Sequence, residues 1–240
     1  MSERPESSAL LAHLHETAAA TTRYLEALTV LDETDVRAPS LLPGWSRGHV
    51  VTHVARNADG LRNLMVWART GAEHPQYASW EQRNLDIEAG AGRSVAVLVE
   101  DSCSSAGRFA DEVENLSGDA WDFPVRTLSS TNPFPARDVL PARRIEVEVH
   151  HADLGGAYSS ADWPRDFTEM MIARVQRDRS DAQPMVVTST DSAASWTFGS
   201  GHGPEIRGAT ADLAWWLIGR GEGSGLMSSS GALPELTRWR

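Results

Sequence analysis

The chain has 240 residues, 41% of them hydrophobic and 23% charged, with 22 basic against 33 acidic side chains and a formal net charge of −11. This length accommodates one large domain or two modest ones with a real core, and the composition excludes wholesale disorder. No run approaches the roughly eighteen apolar residues of a membrane span, Met1 to Pro5 begins no signal peptide, and an acidic chain repels a phosphate backbone. The expectation is therefore a cytoplasmic protein, monomeric by default, with small-molecule partners and neither membrane nor nucleic acid.

From Glu6 to about Leu31, Leu11, Leu14, Ala18, Thr21, Leu25 and Leu28 alternate spacings of three and four, predicting a helix packed in a bundle. Pro39 to Trp45 reads as a connection. Ser46 is placed to N-cap a second helix running to about Thr70, with Gly71 as its stop and Val50, His53, Asn57, Leu61, Leu64 and Ala68 on one face. Ser79 to Gln82 has the S-x-x-Q spacing of a capping box, predicting a shorter helix that carries Arg83 and Asn84 and ends at Gly90 and Gly92. Ser94 is expected to cap a third long helix through Leu98, Val99, Ser102, Phe109, Val113 and Leu116. Asp119 to Pro135 reads as a polar connection with extended pieces. Asp138 is expected to cap a fourth long helix, whose first turn tolerates Pro141 and which ends near Gly155-Gly156. Four such helices predict a four-helix bundle, whose core is where facing helices converge polar ligands.

Beyond Asp162-Trp163-Pro164 the texture changes. Phe167 to Asp181 is again helical, Met185 to Thr188 and Ala194 to Phe198 read as hairpin strands, Glu205 to Arg207 as a third strand, and Ala209 to Arg220 as a helix before a Gly/Ser-rich tail. The expected architecture is mainly α: a four-helix bundle over residues 1–164, then a small α+β domain over 165–240.

Every basic residue is arginine, so lysine Schiff-base and lysine general-base mechanisms are excluded. The single cysteine, Cys103, makes neither an internal disulfide nor a thiolate metal site, and its place beside Ser102 and Ser104 without a base nearby suggests a buried, inert side chain. Any metal must rely on histidine and carboxylate. His53 on the second helix, with Glu146 and His150 four apart and so on one side of the fourth, form a two-His, one-carboxylate set. Three protein ligands and an exchangeable fourth position characterise catalytic zinc. By spacing alone the signal is weak: E-x-x-x-H on a helix also describes a surface ion pair, and a histidine on an apolar face is more often a hydrogen-bonded core residue. His49, one turn before His53, is expected to support the ligands. His151 points about 100° away from His150 around the helix and reads as packing or solvent-facing. His13, His15, His74 and His202 have no partner pattern.

The segment Leu42-Pro-Gly-Trp-Ser-Arg-Gly-His-Val-Val-Thr-His-Val-Ala-Arg-Asn-Ala58, with Arg144-Ile-Glu-Val-Glu-Val-His-His-Ala-Asp-Leu154, resembles the mycothiol-dependent maleylpyruvate isomerases of the DinB-like metal-binding superfamily. The resemblance extends to Ala78 through Gly90, to Gly219-Arg220-Gly221-Glu222, to Ser228 through Gly231 and to the closing Arg238-Trp239. It implies a DinB-like bundle with a small C-terminal domain, and zinc held by His53, Glu146 and His150. It also implies cis-to-trans isomerisation of maleylpyruvate to fumarylpyruvate in gentisate breakdown, with mycothiol as thiol cofactor. A thiolate that adds reversibly to the conjugated double bond allows rotation before it leaves, and zinc coordination deprotonates the thiol. Arg83 and Arg220 are nominated by the resemblance to bind the carboxylates and the developing enolate, with Asn84 and Trp45 as candidates at the cofactor and Trp80 and Trp215 as further walls. Without it, Arg83 reads as a surface ion pair and Arg220 as a helix C-terminal charge. His151 departs from the family pattern, where a smaller residue is expected. The alternatives are a mycothiol-dependent S-transferase on the same scaffold, a non-haem iron(II) oxygenase, and a non-catalytic binding module.

Overall fold

The computed structural model of the protein describes residues 5–130, 132–179, 183–236 and 239. Within these limits the chain forms two compact units, Met1–Gly156 and Ala157–Arg240. The Ser160–Asp162 3-10 turn and Trp163 belong to the second unit, where Trp163 meets Phe167 and Trp215 edge-on. Arg238 and Asp181 lie outside the described residues.

The first unit is built on four long helices, α1 (Pro5–Leu28), α3 (Arg47–Thr70), α5 (Val95–Glu114) and α6 (Val139–Asp153), with the short α2 (Glu33–Arg37) and the intermediate α4 (Trp80–Ala91) beside them. α3 packs on α5 and α6, and α1 on α6 and α5, which closes a four-helix ring. Local chemistry explains most of the boundaries. Ser46 caps α3 by accepting from the His49 N–H, and Gly71 ends the helix at φ 73. Ser79 accepts from the Gln82 N–H at the start of α4, but the Gln82 side chain turns to Asp86 rather than back to the cap, so the predicted box is only half formed. α2 is a turn of helix that the apolar periodicity did not signal. Asp32 and Asp35 form its capping box.

Three expectations are corrected. The buried stripe of α1 is Thr17, Ala20, Tyr24 and Leu28: of the expected seam Leu28 is buried and Leu14 and Leu25 pack partly buried against the core, whereas Leu11, 59% exposed, and Ala18 face outward. The Thr17 hydroxyl in this stripe donates to the Leu140 carbonyl of α6 at 3.1 Å. Ser94 makes no side-chain cap to α5. Instead the Glu33 carboxylate of α2 accepts from the Val95 N–H at 2.8 Å. Asp138 also makes no capping bond, since the Ala136–Asp138 3-10 turn leads directly into α6. The stretch between α5 and α6 carries a 3-10 turn at Gly118–Asp122 and a two-residue antiparallel pairing of β1 (Pro124–Val125) with β2 (Phe134–Pro135).

The second unit combines α7 (Arg165–Asp178) and α8 (Thr210–Leu217) with β3 (Met185–Ser189), β4 (Ser195–Phe198), β5 (Glu205–Gly208) and β6 (Met227–Ser228), in the sheet order β4-β3-β5-β6. β3 and β4 form the predicted hairpin, with Met185 opposite Phe198. β5 crosses to the other edge of β3 and pairs with it in parallel, and β6 then adds antiparallel. Met185, Val187, Phe198 and Ile206 bury one face of this sheet, over which α7 and α8 pack. Asp191, from the loop after β3, accepts from the Thr210 N–H and caps α8 in place of a residue of its own.

Two glycines decide how closely α4 approaches α3. A Cβ on Gly48 of α3 would lie 2.4 Å from the Ala91 carbonyl oxygen and 3.2 Å from that of Val36, and one on Gly90 would lie 2.4 Å from Thr52 Cγ2. The absence of side chains there lets the end of α4 rest on the backbone of α3. Gly48→Ala should therefore cost about 1–3 kcal/mol, because backbone must move. By contrast, Gly107→Ala, on the exposed side of α5 with nothing within 4 Å of the added carbon, should gain up to about 1 kcal/mol. Thermal unfolding of the two variants checks the opposite signs.

Candidate metal centre

His53 lies on the buried face of α3, and Glu146 and His150 lie one turn apart on the face of α6 that packs against it. His53 Nε2 is 3.1 Å from Glu146 Oε2 and 3.0 Å from His150 Nε2, and the third side of this triangle, His150 Nε2 to Glu146 Oε2, is 3.6 Å. Tetrahedral zinc with bonds of about 2.0–2.1 Å places its ligand atoms about 3.3 Å apart, which these three edges bracket. Two imidazole lone pairs cannot face one another at 3.0 Å without a proton or a cation between them. The donor set therefore fits a divalent metal, and among the described residues no fourth His, Cys or carboxylate joins the group.

The electrostatics suit a ligand cluster. Burial, reinforced by the neighbouring His150, pulls His53 down to about 4, against the opposing pull of Glu146. At neutral pH the ring is therefore uncharged. Burial also acts to lower His150, but the hydrogen bonds to Asp153 and Glu146 outweigh it and push the ring up to about 8. Desolvation opposes the Glu146 anion, yet its bonds to both histidines hold the carboxyl well below the usual range.

Asp153 is the residue that sequence reasoning missed. Its fully buried carboxylate accepts from His150 Nδ1 at 2.9 Å, which orients the ring with Nε2 toward His53 and Glu146. The signal was present as H-x-x-D, three residues along the helix and so on a neighbouring face. The Leu41 N–H donates to the Asp153 carbonyl, tying the end of α6 to the connection before α3.

Arg83 reaches the cluster from α4. Its Nη2 lies 3.0 Å from His53 Nδ1 and its Nη1 donates to Asn84 Oδ1 at 2.9 Å, while the guanidinium sits over the rings of Trp80 and Tyr77 at 5.7 and 5.9 Å. Burial, helped by the Glu146 carboxylate, pushes the Tyr77 hydroxyl up to about 12, so it remains a donor. Trp45 meets His53 edge-on, with ring centroids 5.7 Å apart, and its other neighbour, His49, stacks on it at 6.0 Å. The first unit thus brings together His53, Glu146, His150, Arg83, Asn84 and Trp45. Arg220 lies in the second unit, just past α8, where its backbone N–H bonds the Trp215 carbonyl.

Two supporting expectations are corrected here. His49 does not back the ligands, because its Nδ1 is engaged with the Ser46 N–H and hydroxyl in the α3 cap and its Nε2 faces Glu88 at 3.4 Å. Cys103 is exposed, because Ser102 and Ser105 take the inward positions of α5. His151 is buried and packs edge-on against Tyr24, the first of the two readings open to it.

Comparison with known proteins places the chain in a family. The family profile described as the mycothiol maleylpyruvate isomerase N-terminal domain matches residues 17–155. Two crystal structures, of a mycothiol-dependent maleylpyruvate isomerase and of the same enzyme with one histidine changed to alanine, are each 31% identical to this chain. Each likeness covers 96% of this chain and 97% of the other, with TM-scores of 0.91 and 0.90. A search of curated proteins finds no match. The matched segment contains His53, Glu146 and His150 and the likeness of fold extends through both units: the chain belongs to the mycothiol-dependent maleylpyruvate isomerase family.

Proposed function

We propose that this protein is a zinc- and mycothiol-dependent cis–trans isomerase that converts maleylpyruvate to fumarylpyruvate, a cytoplasmic step of gentisate breakdown. The observation that carries the reading is the three-donor cluster of His53, Glu146 and His150, preorganised at metal-ligand spacing with no fourth protein ligand among the described residues. When bound, zinc supplies a Lewis acid that holds a thiol sulfur as thiolate at neutral pH, and mycothiol supplies that sulfur.

The chain's own residues do the rest. Asp153 keeps the His150 proton on Nδ1. Trp45 covers one side of His53 and excludes water from it. Arg83 has a double role. A guanidinium only donates, so its bond to His53 Nδ1 places the proton of the neutral ring on Nε2. A ring that ligates through Nε2 carries its proton on Nδ1 instead and has nothing there to accept from Arg83. With a metal held at Nε2 the Arg83 guanidinium would be available to other acceptors, and its planar fork suits a substrate carboxylate or the oxygen on which negative charge develops. Asn84 steadies it through the remaining bond. Arg220 is assigned to the substrate on family resemblance alone.

The decisive experiment mixes metal-replete protein, maleylpyruvate and substoichiometric mycothiol. Loss of the cis-enone absorbance with the thiol undiminished is expected. Stoichiometric thiol consumption would mean an S-transferase instead, and no turnover even with excess thiol would sink the reading. His53→Ala should abolish both zinc retention and turnover, as measured by elemental analysis and the same assay. Asp153→Asn should weaken zinc affinity by about 10–100-fold in chelator competition, because the amide supports the imidazole less well. Arg83→Met should have opposite effects in two assays: zinc affinity unchanged or higher, since a competing donor is gone, and kcat/KM lower by about 100-fold or more.

A further inference from the structure

Arg143 is the largest fully buried side chain of the protein, at 2% exposure, and no carboxylate lies within ion-pair distance of it among the described residues. A desolvated guanidinium without a counter-ion is costly, and methionine would fill the same volume without that penalty. Its bonds show what the cation does. Nη1 donates to the Val54 carbonyl and to Asn57 Oδ1, both at 2.8 Å. Val54 follows His53 directly, and Asn57 lies one turn beyond it on the same buried face of α3. On α6, Arg143, Glu146 and His150 stand at i, i+3 and i+7 and form one stripe along the helix. The two helices therefore meet at successive rungs, Asn57 with Arg143 and His53 with Glu146 and His150. The strut and the ligand cluster share one register. Glu146 is also among the groups whose field the guanidinium feels, with Tyr24, Tyr77 and Asp59.

We propose that Arg143 is a positioning residue for the metal centre: by tying the His53 turn of α3 to α6 from within the core, it sets the separation of His53 from Glu146 and His150. The inference rests on the metal reading of that cluster and deepens it. A helix pair held only by apolar side chains can slide by fractions of an ångström at little cost, whereas two charge-assisted bonds from one rigid plane cannot.

The test is zinc affinity of the full chain by competition with a chromophoric chelator, with thermal melting of the metal-free protein measured alongside. Arg143→Met is expected to weaken zinc binding about tenfold or more, and Arg143→Lys, which restores a donor and a charge, to recover most of the loss. A merely structural residue would lower the melting temperature of the metal-free protein and leave the affinity of the folded fraction unchanged. Affinity of Arg143→Met within threefold of the unmodified chain overturns the inference and leaves the metal reading intact. Failure of the unmodified chain to bind zinc overturns both. If Arg143→Met does not fold, Asn57→Ala, which removes one acceptor and keeps the arginine, decides by the same threefold threshold.

Discussion

The packing of α3 against α6 forces His53, Glu146 and His150 into a triangle with edges of 3.0, 3.1 and 3.6 Å. Polar groups this close in a protein core compete for protons. The molecule resolves the competition with a neutral His53, an anionic Glu146 and an imidazole of His150 whose outer nitrogen is bonded to a buried carboxylate. A divalent cation satisfies all three inner atoms together. The glycine contacts that seat α4, the capping of α3 by Ser46 and the fixing of His150 by Asp153 all have their meaning in relation to this triangle.

Two arginines stand beside the centre of an acidic chain. The protein carries a formal charge of −11, yet Arg83 touches His53 and Arg143 is buried one turn from Glu146. A dicarboxylate substrate would be repelled by the protein at long range and attracted only within reach of Arg83, where low dielectric strengthens the interaction. Tyr77 and Trp80 flank the Arg83 guanidinium, and among the described residues no carboxylate pairs with it, which leaves its charge available to a substrate.

Much of the bundle was legible before its coordinates. The three-four spacing and the Ser46 and Gly71 stop signals place α3 to the residue, because caps and periodicity are interactions within one turn of chain. His53, Glu146 and His150 stood out by residue type and helix face, and the family resemblance turned that weak spacing signal into an expectation of zinc. Asp153 and Arg143 escaped notice for different reasons. An aspartate three residues after a histidine is common on any helix surface, and only burial gives it significance. An arginine on an amphipathic helix reads as solvated by default, so its burial against Val54 and Asn57 contradicts the ordinary expectation.

The sequence by itself determined the long helices, the strands of the β3–β4 hairpin and β5, the reliance on histidine and carboxylate for any metal, and the absence of lysine. Tertiary structure decided which of two overlapping stripes on α1 faces the core, that Glu33 rather than Ser94 caps α5, that β5 pairs in parallel with β3, and that His49 serves a helix cap while Arg83 meets the ligand. The division has a physical basis. Turn-scale preferences are encoded in neighbouring residues, whereas the partner of a buried polar group is chosen by whatever the packed chain brings within about 3 Å of it.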